Sequence, residues 1–127
     1  MSRVILFQVS DRANKLKKII DTVQTHFQAG EPIALFVEDE KGAEFLDELL
    51  WKAETFLPHP SPHIWIERTK KPPINTRIGF NLCPTPLLID LKILYDFEDL
   101  TSPIKKNLSS LRFEAYKKAG FPIQANE

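Results

Sequence analysis

The sequence predicts a three-layer α/β domain: a twisted, mostly parallel sheet of five strands flanked by about three helices, Rossmann-like in topology. Short apolar runs rich in branched residues, Val4 to Val9 and Ile33 to Val37, alternate with segments whose apolar residues recur at helical spacing. Both runs are apolar on either face and are joined by a long amphipathic helix, which implies a right-handed crossover in a parallel sheet. A chain of 127 residues that is 43% apolar supports one continuous core but not two, so residues 1–127 read as one domain.

The elements follow in order. After Val4 to Val9, Ser10-Asp11 opens a helix carrying Leu16, Ile19, Ile20, Val23 and Phe27, with Gly30 just beyond it. Ile33 to Val37 is the second strand, and Asp39 caps a second helix with Ala43, Leu46, Leu50 and Ala53 on one face. Phe56 to Pro62 contains three prolines, His63 to Glu67 alternates as a short strand, and Arg68 to Thr76 is a basic loop whose prolines exclude a helix. Ile78 to Leu82 is a fourth strand, Cys83 to Pro86 a turn, and Leu91 to Phe97 a fifth strand. Ser102 caps the last helix and Pro103 occupies its first turn. Ile104, Leu108, Leu111 and Ala115 are expected to face inward, and Gly120 stops the helix.

The 17 basic and 17 acidic residues cancel, which argues against strong direct gripping of nucleic acid through phosphates. The distribution is nevertheless uneven. Seven acidic and two basic residues lie between Glu38 and Glu54, whereas Pro103 to Gly120 holds five basic residues and Glu114 alone. Such patches suit partners of complementary charge, or are solvated helix faces. The longest apolar run is five residues, far short of the roughly 20 that span a bilayer. With no export signal in view and one thiol, Cys83, a reducing compartment and a cytoplasmic location are expected.

Little chemistry is offered for catalysis. The four glycines are isolated, so neither phosphate-binding fingerprint can be drawn through a strand-to-helix turn, and no cofactor is expected. Asp11 and Asp39 follow the first two strands, where catalytic carboxylates often lie in α/β folds, but Asp is equally a preferred helix cap. Pro60 and Pro62 forbid the helix that would unite His59 and His63 on a metal. No nucleophile elbow marks a serine.

Two places stand out as surfaces. Trp51 and Phe56 lie where a helix end runs into a proline-pinned segment, so they either close one end of the core or anchor a partner peptide at small ordering cost. On the last helix, an inward Ile104 stripe would put Lys106, Ser109, Ser110, Phe113 and Lys117 outside. Phe113 is then exposed between lysines with Tyr116 alongside, suited to an acidic peptide that ends in an apolar side chain.

At these two places the sequence resembles the chi subunit of the bacterial DNA polymerase III holoenzyme. The matching stretches are Val37-Glu-Asp-Glu-Lys41 with Leu46-Asp47-Glu48, then Leu50-Trp51 with Phe56-Leu57-Pro58-His59, and Phe113-Glu-Ala-Tyr-Lys-Lys-Ala-Gly-Phe121. The resemblance implies a non-catalytic adaptor that links the clamp loader, through the psi subunit, to the acidic and hydrophobic C-terminal tail of single-stranded DNA-binding protein. By position, Trp51, Phe56, Leu57 and Pro58 would meet psi or a competing helicase. Lys106, Ser110, Arg112, Phe113, Tyr116 and Lys117 would form the tail site. Chi proteins of this pattern tend to carry Arg at the position of Ser110 and Lys at that of Glu114, so a weakened tail site is implied here. A rival reading is a small enzyme that acts on a nucleotide-like substrate through Asp11 and Asp39. It would need a concave pocket over the strand ends, which an adaptor can leave shallow.

Overall fold

The computed structural model describes residues 2–53 and 63–126; within them strand and helix alternate as far as the third strand, after which three strands follow one another before the last helix. The order is β1 (Arg3–Val9), α1 (Arg12–Gln28), β2 (Ile33–Phe36), α2 (Glu40–Trp51), β3 (Ile64–Glu67), β4 (Ile78–Asn81), β5 (Ile93–Asp99), α3 (Pro103–Lys118) and β6 (Ile123–Asn126). All pairings are parallel, in the order β3-β2-β4-β5-β1-β6. The sheet therefore has six strands rather than the five expected. The sixth follows Pro122 and carries only Ile123 and Ala125 as apolar residues, too few to announce a strand. Pairing with β1 makes it one, beginning with the Val4 N–H donating to the Pro122 carbonyl at 2.8 Å.

The helix starts are where the caps place them. Asp11 accepts from the Asn14 N–H at 2.8 Å, Asp39 from the Gly42 N–H at 2.8 Å and Ser102 from the Lys105 N–H at 3.2 Å, each satisfying an orphan donor of the first turn. Gly30 and Gly120, at φ of 72° and 82°, take the left-handed step that ends α1 and α3.

Chain travel across the sheet reverses after β3, and this sorts the layers. Helices α1 and α2 cover one face, packing Ile19, Val23, Leu46 and Leu50 onto Ile5, Phe7, Ile33, Leu35 and Phe80. The other face, with Val4, Leu6, Phe36 and Leu94, is covered by Leu87, Leu91 and Tyr116. Gly79 lets this second layer close in, because a Cβ there would lie 2.7 Å from Leu91 Cδ1 and 3.0 Å from Phe36 Cε2.

Helix α3 does not pack as its apolar stripe suggests. Ile104 is 73% exposed and Leu111 65%, while Leu108 and Ala115 are half-buried. The buried residues are Ser109, Arg112 and Tyr116, spaced i, i+3, i+7 on one face. What holds them is Asp96, in the middle of β5 and 1% exposed. Arg112 Nε donates to both its oxygens at 3.3 and 3.2 Å, Tyr116 Oη at 2.6 Å, Asn81 Nδ2 at 3.2 Å and the Phe97 N–H at 2.7 Å. Arg112 Nη2 donates to the Phe97 carbonyl at 3.0 Å and Nη1 to the Pro84 carbonyl at 3.2 Å. A guanidinium buried against a carboxylate must face it, and that requirement outranks the burial of two leucine-sized side chains. Burial pushes the Asp96 carboxyl up from its ordinary range, with Arg112 chief among the groups pulling it back. The Tyr116 hydroxyl is pushed up as well, by burial and then by Asp96.

Asp99 anchors the next turn. Burial pushes its carboxyl up, but Lys15 at 2.7 Å and the Thr101 backbone and hydroxyl outweigh that and hold it at about 2 against an ordinary 3.8.

Arg112→Leu, which strands Asp96, should destabilise the protein by about 3–5 kcal/mol. Asp96→Leu/Arg112→Leu should lose less than the two single changes combined, as read by urea denaturation. Because the folded value of Asp99 is depressed, its stabilisation is complete above its unfolded pKa and is lost as pH falls through about 2. The stability gap between the wild type and Asp99→Asn should therefore narrow on acidification from pH 4 to 2, measured at matched ionic strength.

Candidate functional site

Three surfaces carry the residues singled out by the sequence. Above the carboxyl ends of the strands, where α/β folds usually hold ligands, lies a cleft of about 610 Å³. It is concave rather than shallow. Its walls are the first turns of all three helices, with Leu16, Phe45, Leu46, Leu82, Pro84 and Leu108 as apolar lining. Several of its polar groups are engaged: Lys15 pairs with Asp99 and Arg112 with Asp96, and Arg12 lies over the Phe45 ring at 5.1 Å, while Glu38 and Lys105 line the cleft as exposed charges. Asp39 reaches the cleft and Asp11 does not, and both are occupied as helix caps. Burial pushes the half-buried Cys83 thiol up from its ordinary value, which disfavours a nucleophilic thiolate.

The second surface is the outer side of α2. Glu40, Glu44, Asp47 and Trp51 follow one another at helical spacing, and the first three line a groove of about 390 Å³ with Ala43, Trp65, Ile66 and Arg68. Trp51, the last residue of the helix, is 49% exposed. Phe56, Leu57 and Pro58, expected to extend this surface, lie outside the described residues.

The third surface is α3, where the polar inner face resets every assignment. Arg112 and Tyr116, expected at the tail site, are buried 7% and 0% exposed. Both are committed to Asp96, so neither joins that surface. Each flank of the helix lies about 100° from this buried face. One carries Ile104, Leu108, Leu111 and Ala115. The other carries Lys106, Ser110, Phe113 and Lys117, of which the two lysines and Ser110 are exposed. Phe113 is half-buried rather than exposed, packed with Phe121 against the second core. It presents part of a ring between two cations, with no guanidinium beside it.

Sequence reasoning missed the buried network because Arg112 and Tyr116 on a helix read as surface residues. The one available signal was Asp96, a lone acid inside Ile93-Leu-Tyr-Asp-Phe97. It also missed His26, whose ring meets Glu31 Oε1 at 3.0 Å and Tyr95 Oη at 2.7 Å. Both partners come from outside its helix.

No helix among the described residues is long and apolar enough to cross a membrane. No curated protein matches the chain. A family model does, over residues 1–124, and its description is DNA polymerase III chi subunit, HolC. With nearly the whole chain inside that match, and an α/β fold of parallel strands and three helices among the described residues, the protein belongs to the chi-subunit family, accessory components of DNA polymerase III.

Proposed function

We propose that the protein is a non-catalytic cytoplasmic adaptor, acting as a single domain, that joins the clamp loader to the C-terminal tail of single-stranded DNA-binding protein. The observation that carries this reading is the flank Lys106, Ser110, Phe113 and Lys117, held outward by a helix whose inner face is locked to Asp96. An acidic tail ending in an apolar residue finds there an aromatic edge between two positive charges. Trp51, at the end of the acidic face of α2, supports a second contact with psi or an equivalent clamp-loader or helicase component. The enzyme alternative is not favoured, since Asp11 and Asp39 are engaged as caps.

With Arg112 buried and Ser110 and Glu114 in place of basic residues, only Lys106 and Lys117 remain on this flank to meet the tail. Affinity should be micromolar or weaker, about −8 kcal/mol at most, and should fall with salt because the charges are exposed. A peptide of acidic residues ending in Pro-Phe, titrated by calorimetry, is the test. Phe113→Ala should weaken binding at any salt. Ser110→Arg with Glu114→Lys should tighten it by roughly 1–3 kcal/mol. No binding by the wild type and no gain in the double variant would remove the tail site. For the other surface, Trp51→Ala should reduce capture of the clamp-loader partner with an unchanged thermal melt, whereas a lowered melt would make Trp51 structural.

A further inference from the structure

Zero net charge conceals a strong separation of charge by layer. The layer of α1 and α2, residues 11–53, holds nine acidic and six basic residues. The segments on the opposite side, residues 69–92 and 102–120, hold nine basic residues against Asp90 and Glu114. The β3-to-β4 connection belongs to this second layer. It leaves β3 in the direction opposite to that of α1 and α2, and right-handed crossovers then carry it over the α3 side of the sheet. Lys70, within that connection, is near enough to lower the thiol of Cys83, which packs against the second core.

This loop is built differently from the flank of α3. Lys70, Lys71 and Arg77 are exposed. At the far end the Lys92 N–H donates to the Arg77 carbonyl at 2.8 Å, which places a fourth exposed cation beside the third, with the exposed Asp90 carboxylate within electrostatic reach of Arg77. The loop descends from the carboxyl ends of the strands to their amino ends, about 13 Å for strands of four residues. Pro72 and Pro73 stiffen the path. Its one large apolar side chain, Ile74, is 90% exposed and lines neither the cleft over the strand ends nor the α2 groove. Arg68 is set apart, facing Glu40, Glu44 and Asp47 across their groove.

A row of cations with no apolar seat suits a ligand whose charge repeats along its length and whose apolar parts need no anchor. An acidic peptide with a terminal apolar residue needs the seat. We infer that Lys70, Lys71, Arg77 and Lys92 form a weak, sequence-independent contact for the phosphate backbone of single-stranded nucleic acid. Four charges give low affinity on their own. Joined to a partner already bound to single-stranded DNA, the contact becomes intramolecular and counts at the effective concentration of the tether. That last step rests on the tail-binding reading, but the contact itself does not.

The test is fluorescence anisotropy of a labelled oligothymidylate of about 20 nucleotides against the full chain, from about 25 to 200 mM salt. Binding should be measurable at the lowest salt, and the log–log salt slope should be about −3 for four contacts on a single strand. Lys70→Glu/Lys71→Glu should abolish it with an unchanged thermal melt, while the affinity for the acidic tail peptide stays within about twofold. Phe113→Ala should do the reverse, weakening the peptide and sparing the oligonucleotide. The inference is overturned if the oligonucleotide does not bind at the lowest salt or binds the double variant equally well. It is also overturned if Lys70→Glu/Lys71→Glu weakens the peptide instead, which would assign the loop to an acidic protein. Because peptide and oligonucleotide are read separately, loss of the tail site leaves this result standing.

Discussion

A carboxylate in the middle of a buried strand cannot be left unpaired, and in this protein Asp96 settles how the whole second layer is arranged. Four donors converge on it, from α3, β4 and its own strand. Two of them, Arg112 and Tyr116, lie four residues apart on α3, so the rotation of that helix is fixed by hydrogen-bond geometry rather than by greasy contact. Hydrophobic packing tolerates sliding; a guanidinium held at once by a buried carboxylate and two backbone carbonyls does not. The same atoms tie down the irregular stretch after β4, through the Pro84 carbonyl to Arg112 and the Leu87 N–H to Tyr116 Oη. One buried acid thus organises a helix and a loop that also share the second core through Tyr116, Leu87 and Leu91.

That arrangement has an unusual by-product at the surface. A helix normally spends its apolar stripe on the core, whereas α3 spends a polar one and keeps Ile104 and Leu111 in solvent. Its two outer flanks are consequently unlike each other, one apolar and one cationic with an aromatic edge. The sheet beneath separates an acid-rich layer from a base-rich one. Such a molecule has sides in the electrostatic sense, and a polyanion meets it in a preferred orientation even though the charges sum to zero.

Fold class was legible in the sequence because it depends on period. Val4 to Phe7 and Ile33 to Val37 are buried on both faces, as their unbroken apolar runs require, and Asp11, Asp39 and Ser102 cap where capping residues precede apolar-periodic stretches. The sixth strand was not legible, since Ile123-Gln-Ala-Asn126 owes its extended pairing to β1 and not to its own composition. The orientation of α3 was misread for a related reason. Periodicity weighs apolar area, and it has no term for a charge on another element that must be neutralised. Arg112 could be recognised as an inner residue only by knowing that Asp96 would lie beside it, sixteen positions back in sequence. On α3, spacing put Lys106, Ser110, Phe113 and Lys117 on one flank, and tertiary contact took Ser109, Arg112 and Tyr116 inward and half-buried Phe113.

The position of β1 has a consequence for how the chain reaches this state. β1, which precedes the other five described strands in the chain, ends up between two of the last, with Arg3 opposite Ile93 and Val4 opposite Ile123. Until β5 and β6 are in place, β1 lacks both of its pairing strands. The half formed by β2, β3 and α2 is local by comparison. Assembly is therefore ordered by topology: a nucleus from the middle of the chain, and a closing event in which the beginning is threaded between β5 and β6. Loop-closure entropy, rather than any weakness in the core, sets the pace of that final insertion.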